Sequence, residues 1–182
     1  MIYLDDLNRD CSVREFWFFQ IHPSDKEFIN EFRGMSFYVF RERIMQELID
    51  GSFGVGVHEG DIPETYTFLL NNDEYIGLFR IRHDADGLLN GTKGNIDFYI
   101  IPEARHKGYA SYGLRLAIGK LLDFEDFHNK YVYLSCDVDD IASRIAILHN
   151  CGDIYYTDTN RLYFRISVLK FRHTWCTYLE PK

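Results

Sequence analysis

Gly94–Leu121, GNIDFYIIPEARHKGYASYGLRLAIGKL, is the stretch from which the fold can be read. Ile96 to Ile101 is rich in β-branched and aromatic residues and predicts a buried strand. Pro102 opens a turn, and a short basic loop follows, Arg105-His106-Lys107-Gly108-Tyr109-Ala110. Beyond it the apolar residues recur at helical spacing and predict an amphipathic helix. The first turn of a helix leaves backbone N–H groups without intrahelical acceptors, and the helix dipole favours negative charge there. The loop where strand hands over to helix therefore reads as a cradle for a diphosphate.

Working outward, Met1 to Leu7 alternates loosely and predicts an edge strand. Val13 to Ile21 fits either a second strand or a buried helical turn. Pro23-Ser24-Asp25 reads as a helix start. Phe28, Ile29 and Phe32, then Phe37, Val39, Phe40, Ile44, Met45, Leu48 and Ile49, predict one or two helices ending before Gly51. Thr65–Leu70 and Tyr75–Arg82 form a hairpin about Asn71-Asn72-Asp73. His83–Lys93 is a polar loop, and Asp123–Lys130 an acidic, aromatic connection. Tyr131–Cys136 is a strand, and Asp139-Asp140 caps a short helix over Ile141–His149 that Asn150-Cys151-Gly152 ends. Ile154–Thr157 and Leu162–Val168 make a second hairpin about Asp158-Thr159-Asn160-Arg161. This order predicts an α/β fold: a mixed central sheet, mostly antiparallel with a central parallel pair, flanked by helices.

Composition narrows the function. The 182 residues suit one domain. A net charge of −8 speaks against nucleic acid, whose phosphates need a basic face. No apolar run approaches the ~18 residues of a membrane span, and MIYLDDLNRD is no secretory signal, so no membrane and a cytoplasmic location are expected. The four cysteines form neither a C-x-x-C pair nor a His/Cys cluster, so free thiols and no metal are expected. Gly51–Gly56 follows a helix instead of a strand and fails as a nucleotide loop. Asp84-x-Asp86-Gly87 lacks the closing Glu of a calcium loop, and Asn90-Gly91-Thr92 is read as a turn.

Arg105-x-x-Gly108-x-Ala110, with Ile100-x-Pro102 before it and Leu114 and Leu116 after it, resembles the (Gln/Arg)-x-x-Gly-x-(Gly/Ala) signature of the GNAT N-acetyltransferase superfamily. Ser135 to Arg144 resembles the segment in which an Asn-x-Ala-Ser motif starts that family's next helix, and Asn150-Cys151-Gly152 falls at its Gly-containing helix stop. The resemblance runs from about Pro63 to Ile166 and lies nearest a bacterial group of acetyltransferases. It implies a GNAT-like sheet in a single domain: a variable helical part over residues 1–62, a cofactor-binding core over 63–169 and a C-terminal extension over 170–182.

The resemblance also implies chemistry. Acetyl-CoA is the co-substrate, and its acetyl group goes to an amine of a small molecule or a protein by direct attack, with no covalent enzyme intermediate. Backbone amides of Arg105, His106, Lys107, Gly108, Tyr109 and Ala110 hold the diphosphate, with Arg105 and Lys107 adding positive charge, and Ser111 belongs to the cofactor site. Backbone groups of Ile100 and Ile101 pair with the pantetheine arm, and Asp140 and Ser143 complete the cofactor site. Two positions depart from the pattern. The tyrosine that serves many members as general acid corresponds to Ile147, and the asparagine that starts the helix corresponds to Asp140. The catalytic candidates are then Asp97 as base, Ser143 as proton donor or cofactor contact, and Cys136 at the end of its strand. Tyr99 and Tyr133 serve only if they face the cleft, and His106 and His149 read as surface residues. Two other readings stay open: a coenzyme-A-binding protein that has lost catalysis, and an interaction protein whose aromatic N-terminal segment is a homodimer surface.

Overall fold

The computed structural model describes residues 1–24, 28–58, 62–83 and 94–179, with side chains to residue 174. Asp25 and the segment 84–93, with its Asp84-x-Asp86-Gly87 and Asn90-Gly91-Thr92 motifs, lie outside the described residues.

The first sheet is β1 (Ile2–Asp6), β2 (Glu64–Asn71), β3 (Glu74–Arg82) and β4 (Ile96–Ile100), in that spatial order and antiparallel throughout. The β2–β3 turn puts Asn72 at φ 49° and Asp73 at φ 67°, the left-handed pair that a tight hairpin requires and that Asn and Asp tolerate. Alternation then gives the sheet two apolar faces. Phe68, Leu70, Leu78 and Tyr99 meet Phe16, Phe18 and Phe19 of α1 (Ser12–Ile21), together with Phe40 and Met45. Leu69, Phe79, Ile81, Ile96 and Ile100 meet Leu114, Ala117, Ile118 and Leu121 of a long helix on the other side.

The ambiguous aromatic segment is therefore helical, because Phe16 and Phe19 fall three residues apart and reach the same sheet face. The helices expected from Asp25 onward are only half present: residues 28–36 are not helical. Asn30 explains this. Its Nδ2 donates to the carbonyls of Phe19 and His22 at 2.6 and 2.7 Å, and its Oδ1 accepts Phe32 N–H at 3.1 Å. The chain turns around this side chain to finish α1 instead of starting another helix. Ser36, whose Oγ accepts Val39 N–H, then caps α2 (Phe37–Val39), which continues through a π-helical turn (Phe40–Ile44) into α3 (Met45–Ser52), one residue beyond Gly51.

After β4 come a 3₁₀ turn (Pro102–Ala104), α4 (Tyr109–Leu122), β5 (Tyr131–Asp137), α5 (Ile141–His149), β6 (Gly152–Thr157), β7 (Arg161–Ser167) and α6 (Val168–Leu179). The C-terminal extension is thus largely a helix. The last three strands form a second antiparallel sheet in the order β5-β7-β6. The expected central parallel pair is not found. Among the described residues β4 and β5 are joined by one antiparallel bridge, Gly94 to Leu134, and form no ladder beyond it. Val132, Leu134, Phe164 and Ile166 of the second sheet nevertheless share the core of β4 and α4, so the two sheets are continuous in packing though not in pairing. No helix among the described residues is long and apolar enough to cross a membrane.

Candidate active site

Between the edge of β4, the start of α4 and α5, a cleft of about 630 Å³ opens. Phe98, Tyr99 and Ile100 of β4 form one wall. The loop residues Ala104, Arg105, His106 and Gly108, with Tyr109, Ala110 and Ser111 of α4, form the end. Asp139, Asp140 and the α5 face carrying Ala142, Ser143, Ile145, Ala146 and His149 close the other side.

The loop is built locally. Pro102 stands at the start of the 3₁₀ turn, where its missing N–H costs nothing, and Ala104 N–H closes on the Ile101 carbonyl at 3.0 Å. His106 then adopts φ 61° and Gly108 φ 82°. A Cβ on Gly108 would meet no protein atom, so the residue is glycine for its backbone conformation and for the open cleft beside it. Helix α4 starts immediately afterwards with no side-chain cap. Its first-turn amides therefore keep their donors for whatever occupies the cleft, and the positive end of the helix dipole favours an anion there.

The basic side chains of the loop are used differently from the expectation. Arg105 donates Nε to the Ile100 carbonyl at 2.9 Å and lays its guanidinium over the Tyr99 ring at 5.4 Å, fastening the loop to the end of β4. Lys107 donates Nζ to the Glu103 carbonyl at 2.9 Å and does not line the cleft.

The β4 wall also needs correction. Ile101 gives its N–H to the Ile76 carbonyl of β3 at 3.1 Å, and its own carbonyl accepts Ala104, so neither group faces the cleft. With Gly77 opposite Ile100, the alternation of an antiparallel ladder turns the backbone of Tyr99 toward β3 and that of Phe98 and Ile100 to the far edge. Phe98 and the Ile100 N–H thus stand where Ile100 and Ile101 were expected.

On the opposite side, the Asp140 carboxylate accepts Ser143 N–H at 2.9 Å and caps α5, which sets Ser143 in the cleft wall. Asn150, buried at the far end of α5, donates Nδ2 to the Ser111 and Ala146 carbonyls, both at 2.9 Å, and so ties α5 to the first turn of α4. His149 Nδ1 lies 3.4 Å from Ser111 Oγ at the cleft mouth. The two histidines read as surface residues both border the cleft.

Three candidates, Cys136, Asp97 and Tyr133, fall elsewhere, as does Ile147. Cys136 is 1% exposed among the core residues, its Sγ 4.0 Å from the Asp140 carbonyl. Ile147 is fully buried in the same core. Asp97 lies on the other face of β4, its Oδ2 2.6 Å from both the Arg80 and the Arg82 guanidinium. Burial there pushes its carboxyl up, but Arg82 and then Arg80 more than reverse this and hold it below the usual carboxylate range. A carboxylate so held is a poor proton acceptor. Tyr133 is on the face of β5 opposite the buried Val132 and Leu134, 5.6 Å from Tyr155. Among the described residues, no group of three or more His, Cys, Asp or Glu side chains is placed to hold a metal ion.

The cleft therefore collects Ile100, Arg105, His106, Gly108, Tyr109, Ala110, Ser111, Asp140 and Ser143, and leaves out Ile101, Lys107, Asp97 and Cys136. Sequence reasoning missed Phe98, Ala142, Ile145, Ala146 and His149. The last four share one helical face at spacings of three and four, a pattern visible once Ser143 is placed on that helix.

Comparison with known proteins agrees with this geometry. The model of the acetyltransferase (GNAT) family matches residues 25–152, more than half of the chain. A search of curated proteins gives no match. Among solved structures, a probable acetyltransferase superposes with a TM-score of 0.66 at 14% identity, over 93% of this chain and 94% of its own. The aminoglycoside acetyltransferase AAC(6')-Ib in complex with coenzyme A gives 0.66 at 12% identity, over 96% and 99%. The Campylobacter jejuni N-acetyltransferase PseH in complex with acetyl coenzyme A gives 0.57 at 16% identity, over 92% and 99%. At these identities the likeness is one of fold.

Proposed function

Because the chain belongs to the GNAT acetyltransferase family, we propose that it transfers an acetyl group from acetyl-CoA to an amine of a small molecule or a protein. The observation that carries this reading is the uncapped start of α4 at the end of a cleft whose wall is the unpaired edge of β4. The chemistry of acetyl-CoA fits these groups. Its diphosphate suits the amides from Gly108 to Ser111, and its amide-rich arm suits the Phe98 backbone and the Ile100 N–H. The small side chains of Ala142 and Ala146 leave room opposite.

The reaction follows as direct attack. The amine, having lost its ammonium proton to water, forms a C–N bond at the thioester carbonyl; its nitrogen then gives a second proton to water, and the C–S bond breaks as the tetrahedral intermediate collapses. A backbone N–H on the free edge of β4 is the donor type that stabilises the oxyanion. Of Asp97, Ser143 and Cys136, Ser143 alone lines the cleft, and we assign its hydroxyl a hydrogen bond to the departing thiolate, which takes its proton from water. Asp97 is given no proton-transfer role.

A second reading, coenzyme A binding without catalysis, is favoured by one observation: Ile147, at the position of the family's acidic tyrosine, is sealed in the core. Titration calorimetry with acetyl-CoA tests the cofactor site, and thiol release across an amine panel separates the two readings. The panel includes aminoglycosides, after the acceptor class in the name of AAC(6')-Ib. Heat with thiol release supports the transferase, heat without release supports the binding protein, and no heat at millimolar cofactor overturns both.

A further inference from the structure

Asn95 joins the two sheets, and it does so in an unusual way. In a regular antiparallel strand the N–H and C=O of one residue point to the same neighbour. Asn95 divides them: its N–H donates to the Tyr133 carbonyl of β5 at 2.7 Å, while its C=O accepts Arg82 N–H of β3 at 2.8 Å. The acceptor that Tyr133 N–H would find in a continuing ladder has been turned away. The Asn95 side chain replaces it, with Oδ1 accepting Tyr133 N–H at 2.8 Å and Nδ2 reaching the Arg82 carbonyl at 3.3 Å. The residue is fully buried and each of its polar groups has a partner.

The neighbours enforce this arrangement. Gly94 sits at φ 97°, and a Cβ on it would come within 2.4 Å of the Tyr133 carbonyl oxygen. Arg82 Nη1 donates to the Gly94 carbonyl at 2.7 Å, and Arg82 is itself gripped by Glu64 at 2.7 Å and Asp97 at 2.6 Å. The ion cluster that holds Asp97 away from proton transfer thus fixes the strand junction. Immediately past Asn95, β4 pairs only with β3, and its other edge borders the cleft.

We propose that Asn95 is the positioning residue of the cofactor wedge. Its side chain ends the pairing of β4 with β5 at a single residue, and so sets the gap in which the amide arm of the acyl thioester lies. This rests on the acetyl-CoA reading above. It concerns the arm and not the phosphates, because the cradle at Gly108–Ser111 is built from the other end of β4.

The test uses two ligands by titration calorimetry: acetyl-CoA, and adenosine 3′-phosphate 5′-diphosphate, which ends at the diphosphate and has no arm. Asn95→Ala should weaken acetyl-CoA about tenfold and change the nucleotide by no more than about twofold. Gly94→Ala, which pushes Tyr133 away by contact instead of removing a hydrogen bond, should show the same split. Equal losses for both ligands, or no loss for either, overturn the proposal while leaving the cofactor reading in place. Wild-type protein that binds neither ligand overturns the cofactor reading itself. Hydrogen exchange on the unaltered protein covers variants that do not fold. The Tyr133 amide should be protected before acetyl-CoA is added, and those of Phe98 and Ile100 only afterwards; rapid exchange at Tyr133 in the free protein overturns the proposal.

Discussion

Glu15 buries its carboxyl beneath Asn8: Oε1 accepts the Asn8 backbone N–H at 3.1 Å, while Oε2 is buried without a partner. The pair fixes the start of α1 against the segment that follows β1. Burial pushes the Glu15 carboxyl up to about 8, against a smaller opposite effect of the Asn8 hydrogen bond, and Asp5 adds to the rise. The folded protein therefore holds this proton more tightly than the unfolded chain. Stability from the group is complete below the unfolded pKa near 4.5 and is lost as pH rises through 8. Denaturant titrations should show stability falling by up to about 4 kcal/mol over that interval. Glu15→Gln should flatten the profile, and an unaltered slope in that variant would locate the titration elsewhere.

Asp97 slopes the other way. Its carboxyl is held low by Arg82 and Arg80, so its contribution is complete above the unfolded pKa and disappears as pH falls through the lower folded value. Asp97→Asn should cost about 3 kcal/mol at neutral pH, because it leaves a buried guanidinium short of charge. With the folded fraction equalised, kcat should stay within about threefold of wild type, whereas loss of a true general base costs about a hundredfold or more.

Ser143→Ala should lower kcat about tenfold and leave the KM for acetyl-CoA nearly unchanged, since the hydroxyl is assigned to the thiolate that forms only during reaction. Asp140→Ala in the same helix removes its N-cap and should cost about 1 kcal/mol of stability. Steady-state kinetics and thermal melts separate the two effects. A raised KM with unchanged kcat in Ser143→Ala would make that residue a binding contact only.

Ile147→Tyr places the family's usual acid where this chain has isoleucine. The site is fully buried, so the larger side chain overpacks the core and should destabilise the fold by about 2 kcal/mol. No gain in turnover is expected. A faster enzyme of unchanged melting temperature would mean that position 147 reaches the cleft.

Gly108→Trp should abolish acetyl-CoA binding by filling the space beside the α4 amides. Gly108→Ala, whose Cβ meets no protein atom, should cost only the strain of φ 82° in a residue with a side chain, about 1 kcal/mol. Calorimetry on both variants distinguishes obstruction of the cleft from strain in the loop.

The conformation of the loop proposed as the cradle was legible in the sequence because its causes are local. Pro102 starts the 3₁₀ turn, Gly108 supplies the left-handed residue, and the periodicity after Tyr109 makes α4, all within a few residues of one another. The Asp140 cap and the two hairpins are of the same kind. Contacts between distant segments decided the rest. Val13–Ile21 became helix because Phe16, Phe18 and Phe19 cover one face of a sheet formed elsewhere in the chain. Residues 28–36 stayed irregular because Asn30 reached back to the carbonyls of α1. Asp97 alternates on its strand as a catalytic carboxylate would, and only β3 shows that Arg80 and Arg82 neutralise it. The expected parallel pair is not confirmed among the described residues, where β4 and β5 share one antiparallel bridge, because pairing depends on where each backbone group finds a partner. At Asn95 one side chain meets Tyr133, 38 residues further along, and opens the sheet there.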